Sequence, residues 1–408
     1  MSNNDREFDV VVWGATGFTG ALVAEYLLGQ YGTEELRWAI AGRSAEKLEQ
    51  LKRDLGAPSL STILADSFDR KSLDAMCARA SVVLTTVGPY ARYGTPLVAS
   101  CVEQGTHYCD LAGEAQWIRQ MIDTHHEAAK RTGARIVHCC GFDSVPMDIG
   151  VWFLQDECKR RFGSPCVSIA MLVKAAKGGA SGGTAASIVN VIRQARQDRS
   201  IARVLVNPYG LNPDGERSGP DGRDQQGIVF DKDAQCWTAP FVMAPINTKV
   251  VRRSHALLGY PWGEQFSYRE AVMTGRGATG WAKAAAVTGG LAALVAGASF
   301  SASRSLLERY ILPKPGQGPD QEKRESGFFN LRQFGRLPDG TRVESKITGD
   351  RDPGYGSTAK MISEAAVCLA LDGVEVEGGV LTPAATMAAP LLKRLRENAG
   401  LSFEMLDA

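Results

Sequence analysis

The first third of the chain alternates short runs that are rich in apolar and β-branched residues with longer amphipathic segments. The runs are five to seven residues long and lie at 8–13, 36–41, 61–65, 81–87, 106–110 and 135–140. Strands that are buried on both faces of a parallel sheet have this pattern, and helices with one apolar face connect them. The pattern therefore predicts an α/β fold with a doubly wound parallel sheet at the N-terminal end.

A glycine-rich turn follows the first run and leads directly into a helical pattern. In the order strand, turn, helix, the first glycine allows a tight turn and the second lets a pyrophosphate approach the backbone. The third glycine lets the helix pack closely on the sheet. Free amides at the helix N-terminus then hold the anion. The predicted dinucleotide site comprises Gly14, Thr16, Gly17, Phe18, Thr19 and Gly20. The alternative is a glycine-rich turn without a ligand.

The end of the second run indicates which dinucleotide binds. NAD enzymes place a carboxylate there for the ribose 2′-hydroxyl, whereas this chain has Gly42, Arg43 and Ser44. A guanidinium attracts a 2′-phosphate, and a serine both caps the next helix and donates to the phosphate. These residues predict NADP(H) as the cofactor. The alternative is that Arg43 is an ordinary solvated side chain.

The ends of the third and fourth runs extend the predicted cofactor site. In doubly wound sheets, ligands lie beyond the carboxyl ends of the strands. Asp66 follows the third run and is expected to contact the adenine amine. Gly88, Pro89 and Tyr90 follow the fourth run and are expected to lie along the cofactor, towards the nicotinamide.

Short motifs spread over nearly the whole chain point to one family. They lie at 14–20, 41–44, 88–90, 108–114, 141–148, 312–319 and 378–384. Together they resemble the saccharopine dehydrogenase-like oxidoreductases, and the later motifs are similar to the branch of the trans-acting enoyl reductases. The resemblance implies a Rossmann domain over 1–140, a second α/β domain with a mixed sheet over 141–375, and a segment over 376–408 that packs back near the first domain.

The resemblance leaves two reactions open. Enoyl reductases of this branch reduce a carbon–carbon double bond on acyl chains made by polyketide synthases, whereas saccharopine-forming enzymes reduce an imine between two amino acids. We expect an NADPH-dependent enoyl reductase acting on a lipid-like or polyketide acyl substrate, free or linked to a carrier. Imine reduction and a non-catalytic NADP-binding protein at a lipid or membrane surface are the alternatives. A homodimer is also left open.

The candidate catalytic residues are those that can contribute what the cofactor does not supply to the reaction. The protein must orient the substrate and provide a proton, and an enolate oxygen needs donors. Tyr90 and Tyr108 are the candidate acids, and Asp143 joins them as a catalytic candidate, with Asp110 and Glu114 orienting such groups.

Each candidate has a structural alternative. Tyr90 stacks on the cofactor, Tyr108 is a core residue whose hydroxyl finds a carbonyl, and Asp143 with Ser144 caps the helix that follows. Solvent is a further source of the proton.

Composition and motif content exclude several classes. Lys and Arg number 46 against 45 Asp and Glu, so the broad basic field typical of nucleic-acid binding is absent from the sequence. The five histidines form no HExxH or similar pattern, so no metal is expected. Nine cysteines without a CxxC pair, and an N-terminus without a secretory signal, predict a cytoplasmic protein.

Residues 284–303 carry no charge and are rich in Ala, Gly and Ser. The length suits a membrane span, but few large side chains favour insertion. Trp281, Lys283 and Arg304 flank the run as interfacial anchors do. A packed small-residue helix, a membrane-surface element and a span all remain open, and peripheral membrane contact is the functional expectation.

Four further segments carry expectations or open alternatives. The glycine run at 177–183 is either an anion site or a hinge, and residues 207–227 are expected to form a mobile insertion. The basic segment at 252–255 is read as a solvated surface, with docking of an acidic carrier as the alternative. Arg193, Arg196, Arg199 and Arg203 favour a solvated face but keep a carboxylate-rich imine substrate in consideration.

Overall fold

Two β-sheets, each of seven strands, organise the part of the chain that the structure describes. The structure is a computed structural model, and it describes residues 6–178, 182–299 and 318–406. Residues 179–181 of the predicted glycine run at 177–183 lie outside these ranges. Residues 300–303, at the end of the uncharged run, also lie outside them.

The first sheet is parallel throughout, with the order β13-β6-β5-β4-β1-β2-β3. Its strands are β1 (Phe8–Trp13), β2 (Trp38–Gly42), β3 (Ser61–Leu64), β4 (Ala80–Thr85), β5 (His107–Asp110), β6 (Arg135–Val137) and β13 (Gly379–Leu381). The strand order reverses between β1 and β4, which creates a crevice at their carboxyl ends. The predicted doubly wound fold is confirmed.

Helices connect these strands and cover both faces of the sheet. They are α1 (Phe18–Tyr31), α2 (Ala45–Asp54), α3 (Arg70–Arg79), α4 (Tyr90–Tyr93), α5 (Thr95–Gln104), α6 (Ala115–Thr132) and α7 (Val145–Phe162). β1 is buried along its whole length because helices pack on both of its sides.

The second sheet is mixed, with the order β14-β12-β11-β7-β10-β9-β8. Its strands are β7 (Ser168–Lys177), β8 (Val229–Asp231), β9 (Cys236–Ala239), β10 (Ser267–Gly275), β11 (Phe328–Arg336), β12 (Arg342–Gly349) and β14 (Leu401–Leu406). β7 and β10 are parallel, and the other neighbours are antiparallel. Burial alternates along β11 and β12, since one face of the sheet packs on the core.

The remaining helices surround the second sheet or return to the first. They are α8 (Gly182–Gln197), α9 (Arg199–Val206), α10 (Ala244–Leu257), α11 (Gly277–Ser299), α12 (Gln321–Glu325), α13 (Gly356–Leu371) and α14 (Pro383–Glu397). α13 packs on α1 and on the central strands of the first sheet, while β14 pairs with β12 of the second. The predicted boundary at 375/376 does not separate the two sheets. α13 precedes the boundary but packs on the first sheet, and β14 follows it but pairs with the second sheet.

A buried carboxylate joins α13 to the first helix. Glu364 is fully buried and accepts hydrogen bonds from Tyr26 Oη at 2.7 Å and Tyr31 Oη at 2.6 Å. Arg394 and Asn398 donate to its second oxygen at 3.3 and 3.2 Å. This cluster holds α13 and α14 against α1.

The basic segment in α10 is buried, so its prediction as a solvated surface or carrier-docking patch is wrong. Arg252 pairs with Asp221 at 2.6 Å. Arg253 donates to the carbonyl oxygens of Leu211 at 2.5 Å and Val380 at 2.6 Å. Internal carbonyls and a carboxylate accept hydrogen bonds from both guanidinium groups, although the buried Nε of Arg253 has no partner among the described residues. These bonds offset much of the cost of placing the charges in the interior.

The segment 207–227 is packed against the protein, in contrast to the predicted mobile insertion. Tyr209, Leu211 and Asn212 are buried. Asp221 accepts from Arg252 and from the backbone of Tyr268 at 3.1 Å. The polar composition of the segment is explained by these anchoring contacts.

The helix α11 begins at Gly277, before the start of the uncharged run at 284–303, and most of the surface of the helix is exposed. It is the one helix in the described ranges that is long and apolar enough to cross a membrane, by length and composition alone. Only 11% of its most apolar 18-residue stretch is buried. Gly280, Ala284 and Ala298 are its buried residues, whereas other small residues, among them Ala282, Ala286, Gly289 and Gly290, are exposed.

Candidate active site

The turn after β1 has a geometry that requires glycine. Gly14 has φ of +86°, and a Cβ on it would lie 2.5 Å from Val87 Cγ2. A Cβ on Gly20 would lie 2.2 Å from the Gly14 carbonyl oxygen, so α1 approaches the turn as closely as backbone atoms allow. Thr16 and Gly17 are exposed at the tip of the turn. This leaves the start of α1 open to an anion.

The predicted 2′-phosphate residues lie beside this turn. Ser44 Oγ accepts from Lys47 N at 3.3 Å, so its predicted capping of α2 is observed. Arg43 is exposed, and its side chain makes no ion pair with the residues that the structure describes. A Cβ on Gly42 would lie 3.7 Å from Thr16 Oγ1, which brings the ends of β1 and β2 together. The turn after β1 and the Arg43 side chain therefore offer adjacent positions for a diphosphate and a 2′-phosphate.

Two other predicted cofactor residues have contacts within the protein. Asp66 Oδ1 accepts from Phe68 N at 2.8 Å in the turn after β3. The Phe18 ring packs edge-on against Tyr355, with centroids 4.9 Å apart, and Arg324 lies over it at 5.4 Å. Phe18 thus joins the phosphate-binding turn to the start of α13.

The turn after β4 is fixed by a buried carboxylate. Glu114 Oε1 accepts from Tyr90 N at 2.7 Å, and Oε2 accepts from Ala91 N at 3.3 Å. The Gly88–Pro89 bond that precedes them is cis. Burial raises the pKa of Glu114, although the two amides and a serine hydroxyl oppose this. Its role as an orienting residue rests on these contacts.

The Tyr90 side chain lies inside the protein. Its hydroxyl donates to Thr85 O at 3.2 Å and accepts from Leu111 N at 3.1 Å. Its ring stacks on Trp117 with centroids 5.6 Å apart. Burial raises the pKa of Tyr90 far above its usual value. The side chain fixes the turn to β4 and β5.

Tyr108 belongs to a buried network around Asp110. Tyr108 Oη donates to Asp110 Oδ2 at 2.9 Å, and His138 Nδ1 lies 2.7 Å from the same oxygen. Backbone amides of Ala112 and Cys139 donate to Oδ1 at 3.0 and 3.1 Å. Burial raises the pKa of Tyr108. The network ties the ends of β5 and β6 together.

Asp143 lies in the turn between β6 and α7. A Cβ on the neighbouring Gly141 would lie 2.6 Å from Leu111 Cδ2, and Phe142 N donates to Thr358 Oγ1 at 3.1 Å. The turn is therefore clamped between the exit of β5 and the first turn of α13. The Asp143 side chain remains partly exposed, and burial raises its pKa to about 7.

A chain of buried hydrogen bonds supports this turn from below. Ser144 Oγ donates to Asn247 Oδ1 at 2.8 Å, and Asn247 Nδ2 donates to Glu270 Oε2 at 3.0 Å. Tyr268 Oη donates to Glu270 Oε1 at 2.9 Å. Burial raises the pKa of Glu270 to about 8. The second sheet thus positions the turn that carries Asp143.

Comparison with known proteins adds the family. The profile of the saccharopine dehydrogenase NADP-binding domain matches residues 10–137. A Mycobacterium tuberculosis protein provisionally named a trans-acting enoyl reductase is 41% identical, over 99% of both chains. Trans-acting enoyl reductases of Mycobacterium bovis and Mycobacterium ulcerans are 40% and 38% identical, each over 97% of both chains. The chain belongs to the trans-acting enoyl reductase branch of the saccharopine dehydrogenase-like oxidoreductases.

This membership confirms the predicted enzyme class and cofactor. The chain is an NADP-dependent oxidoreductase, and its NADP-binding domain coincides with the strands that carry the glycine turn and Arg43. Apo saccharopine dehydrogenase (L-Glu forming) of Saccharomyces cerevisiae matches with a TM-score of 0.54 at 13% identity, over 98% of this chain and 99% of that one. The two proteins share their fold.

Most of the predicted site residues lie at the carboxyl ends of the strands of the first sheet. The glycine turn, Arg43 and the turn of Tyr90 follow β1, β2 and β4, and Asp143 follows β6. Asp143 is the predicted catalytic residue whose side chain reaches solvent, whereas the hydroxyls of Tyr90 and Tyr108 are engaged inside. The catalytic assignments remain predictions.

Sequence reasoning missed two contributors to this reductase site. His138 contacts Asp110, and its position as a polar residue within the sixth run, directly after β6, was the available signal. Thr358 lies in α13, far along the chain, and no local pattern links it to Phe142. Within the described ranges, no group of three or more His, Cys, Asp or Glu side chains is placed to hold a metal ion.

Proposed function

We propose that this reductase transfers a hydride from NADPH to an α,β-unsaturated acyl thioester of lipid or polyketide type. The observation that carries the proposal is the similarity to trans-acting enoyl reductases over 99% of both chains. It extends through the second sheet as well as the cofactor domain. Because the relatives are named as acting in trans, the proposed substrate is an acyl group attached to a carrier.

The proposed mechanism assigns separate tasks to the turns at the sheet edge. When bound, NADPH supplies the hydride that adds to the β-carbon of the substrate. The Arg43 guanidinium and the amides at the start of α1 hold the phosphates. Glu114 fixes the backbone of the turn at Tyr90, so that the nicotinamide end is oriented.

Asp143 is proposed as the proton donor to the α-carbon. Its raised pKa, about 7, keeps a large share of the carboxyl protonated at neutral pH, which suits a general acid. The chain from Ser144 to Glu270 holds its turn in place. Addition of one hydride and one proton saturates the double bond and leaves the thioester intact.

The reaction assignment is tested by NADPH oxidation with two substrate panels. One panel contains enoyl thioesters, and the other contains a keto acid together with lysine. We expect oxidation with the thioesters alone. Oxidation with the second panel would assign imine reduction instead. Tight NADPH binding without oxidation in either panel would favour a binding protein without catalysis.

We further propose that the enzyme is cytoplasmic and touches a membrane surface through α11. Trp281, Val287 and Val295 are exposed on this helix by 50%, 40% and 46%, and Lys283 adjoins Trp281. An aromatic and a cation beside an apolar helix face favour an interfacial position. All nine cysteines are free and buried, which suits a reducing compartment.

Co-sedimentation with anionic lipid vesicles tests the membrane proposal. Wild-type protein is expected in the pellet, and Trp281→Ser is expected to remain largely in the supernatant. Phe68→Ser serves as the control, because Phe68 is 70% exposed on another part of the surface. Wild-type protein that ignores vesicles and elutes as a dimer would assign α11 to a contact between two copies.

A further inference from the structure

The motif at 312–319 meets the phosphate-binding turn at its described end. Gly318 lies against the Phe18 ring, and a Cβ on Gly318 would lie 2.1 Å from Phe18 Cε1. Tyr355, at the start of α13, packs edge-on against the same ring. Phe18 is the first residue of α1, so the groups around its ring adjoin the position of the diphosphate. Residues from the second half of the chain therefore border the cofactor site.

One of these groups is the Arg324 guanidinium, which lies over the Phe18 ring with its carbon 5.4 Å from the ring centroid. Arg324 Nη1 donates to Pro319 O at 2.7 Å, and Asp352 N donates to Arg324 O at 3.0 Å. A cation over an aromatic face is attracted by the ring, which adds to these two contacts. Both the backbone and the side chain of Arg324 are thus fixed beside the start of α1.

The charge of Arg324 is not taken up by a carboxylate among the described residues. Arg324 forms no ion pair there, and its side chain is partly exposed. Its charge reaches the buried Asp352, whose pKa is raised by burial and held back by Arg324. The Asp352 oxygens, however, accept from Tyr355 N at 3.0 Å and Gly356 N at 2.9 Å. The N–H groups of Arg324 that do not bind Pro319 are therefore available to an anion.

The start of α1 supplies no negative group to balance this cation. Gly17 precedes the helix without a side-chain cap, and the described first turn of α1 contains no acidic residue. The free amides of that turn have positive character, so a neighbouring guanidinium is unfavourable unless an anion lies between them. A diphosphate accepts hydrogen bonds from backbone amides and from a guanidinium alike. The two positive groups therefore favour the same ligand.

We propose that Arg324 binds the diphosphate of NADPH together with the amides at the start of α1. Arg43 meets the 2′-phosphate, which NADH lacks, whereas Arg324 meets the diphosphate, which NADPH and NADH share. The motif at 312–319 then has a task, since Gly318 and Pro319 hold Arg324 against Phe18. The inference concerns the cofactor and is independent of the substrate in the proposed function.

Calorimetry with NADPH and with NADH tests the contact without any turnover. Arg324→Gln removes the charge and keeps a donor for Pro319 O, and it is expected to weaken the binding of both nucleotides about tenfold. Lys323→Gln is the matched control, because Lys323 is an exposed cation of the same helix that pairs with Asp320 at 3.0 Å. This control is expected to bind both nucleotides as the wild type does. Unchanged affinity in Arg324→Gln, or an equal loss in Lys323→Gln, would overturn the proposal.

Two further comparisons separate the charge from the packing of Arg324 and identify the phosphate. Arg324→Lys keeps the charge, so it is expected to bind NADPH within about threefold of wild type. A loss in Arg324→Lys as large as that in Arg324→Gln would show that packing on Phe18 is responsible, and would overturn the proposal. The loss in Arg324→Gln is expected to shrink as the salt concentration rises, because salt screens the attraction. A loss confined to NADPH would place Arg324 at the 2′-phosphate and refute the diphosphate contact.

Discussion

Two side chains at the edge of the first sheet illustrate how environment sets the task of a charged residue. Arg43 is exposed, so its guanidinium remains free to meet a phosphate. Asp143 is shielded in a clamped turn, and burial raises its pKa to about 7. Both groups follow the carboxyl ends of strands of the first sheet, Arg43 after β2 and Asp143 after β6.

Removal of the Arg43 guanidinium is expected to change cofactor preference. Arg43→Ala should weaken NADPH binding about tenfold or more, since a charge-assisted contact to the 2′-phosphate is worth about 1.5–3 kcal/mol. NADH binding should stay unchanged, because NADH has no 2′-phosphate. Calorimetry with both nucleotides measures this, and Arg53→Ala at the end of α2 is the control. An equal loss for both nucleotides would contradict the assigned contact.

Asp143 is expected to control the pH dependence of turnover. The acid form is required, so wild-type kcat should fall as pH rises through about 7. Asp143→Asn should lower kcat about 100-fold and abolish that decline. The pH profile of kcat checks this. Tyr108→Phe is measured in parallel. A larger loss of kcat in Tyr108→Phe than in Asp143→Asn would assign the role of proton donor to Tyr108 instead.

The sequence predicts the role of a residue well when the contacts of that residue lie within a few positions along the chain. The glycine turn and Ser44 were predictable, because a tight turn and a helix cap involve residues within a few positions. Arg252 and Arg253 were not predictable, because their partners lie in other parts of the chain. Arg252 donates to Asp221 and to the Tyr268 carbonyl, and Arg253 donates to the carbonyls of Leu211 and Val380. A charged helix segment ordinarily indicates solvent, and only the tertiary contacts reverse that.

At the scale of elements, the strands of the first sheet differ in how predictable they were. β1 and β4 are apolar runs buried on both faces, so the run itself identifies them. β13 has only three residues and pairs with β6, more than 240 positions earlier. No periodicity exists in so short a run. The strand is held in place by tertiary contacts with α6, where Val380 N donates to His126 Nδ1 at 3.1 Å.

The contact between α1 and α13 gives an expected loss of stability. Glu364→Ala leaves the buried hydroxyls of Tyr26 and Tyr31 without their shared acceptor and removes one of the acceptors of Arg394, which keeps Asp372. It should lower the free energy of unfolding by about 3 kcal/mol. Tyr26→Phe removes a single hydrogen bond and should cost about 1 kcal/mol. Urea denaturation measures both. A cost below that of Tyr26→Phe for Glu364→Ala would show that the cluster does not hold the helices together.

At the scale of the whole molecule, the two sheets meet around the turn that carries Asp143. The first sheet supplies the cofactor-binding edge, and β10 of the second supplies Glu270 beneath the turn. Burial raises the pKa of Asp143 and Asp148 to about 7, and that of Glu270 to about 8. The region between the sheets therefore holds carboxyl groups in their neutral form.

These carboxyls are expected to make stability depend on pH. Each has a folded pKa above its unfolded value, so its contribution is fully present below about pH 4 and is lost as pH rises through 7 to 8. Glu270→Gln keeps a neutral, hydrogen-bonding side chain, and should flatten the fall of Tm between pH 5.5 and 8.5 relative to wild type. Thermal unfolding across that range measures it. Parallel curves for the two proteins would show that Glu270 does not titrate there.

The placement of β13 and β14 has a consequence for synthesis on the ribosome. Both strands follow residue 378, yet β13 completes an edge of the first sheet and β14 an edge of the second. While the chain is still emerging, β6 and β12 expose unpaired backbone groups to other nascent proteins. A premature stop before codon 379 would remove both strands and leave an unpaired edge on each sheet at once, which would favour aggregation with other chains.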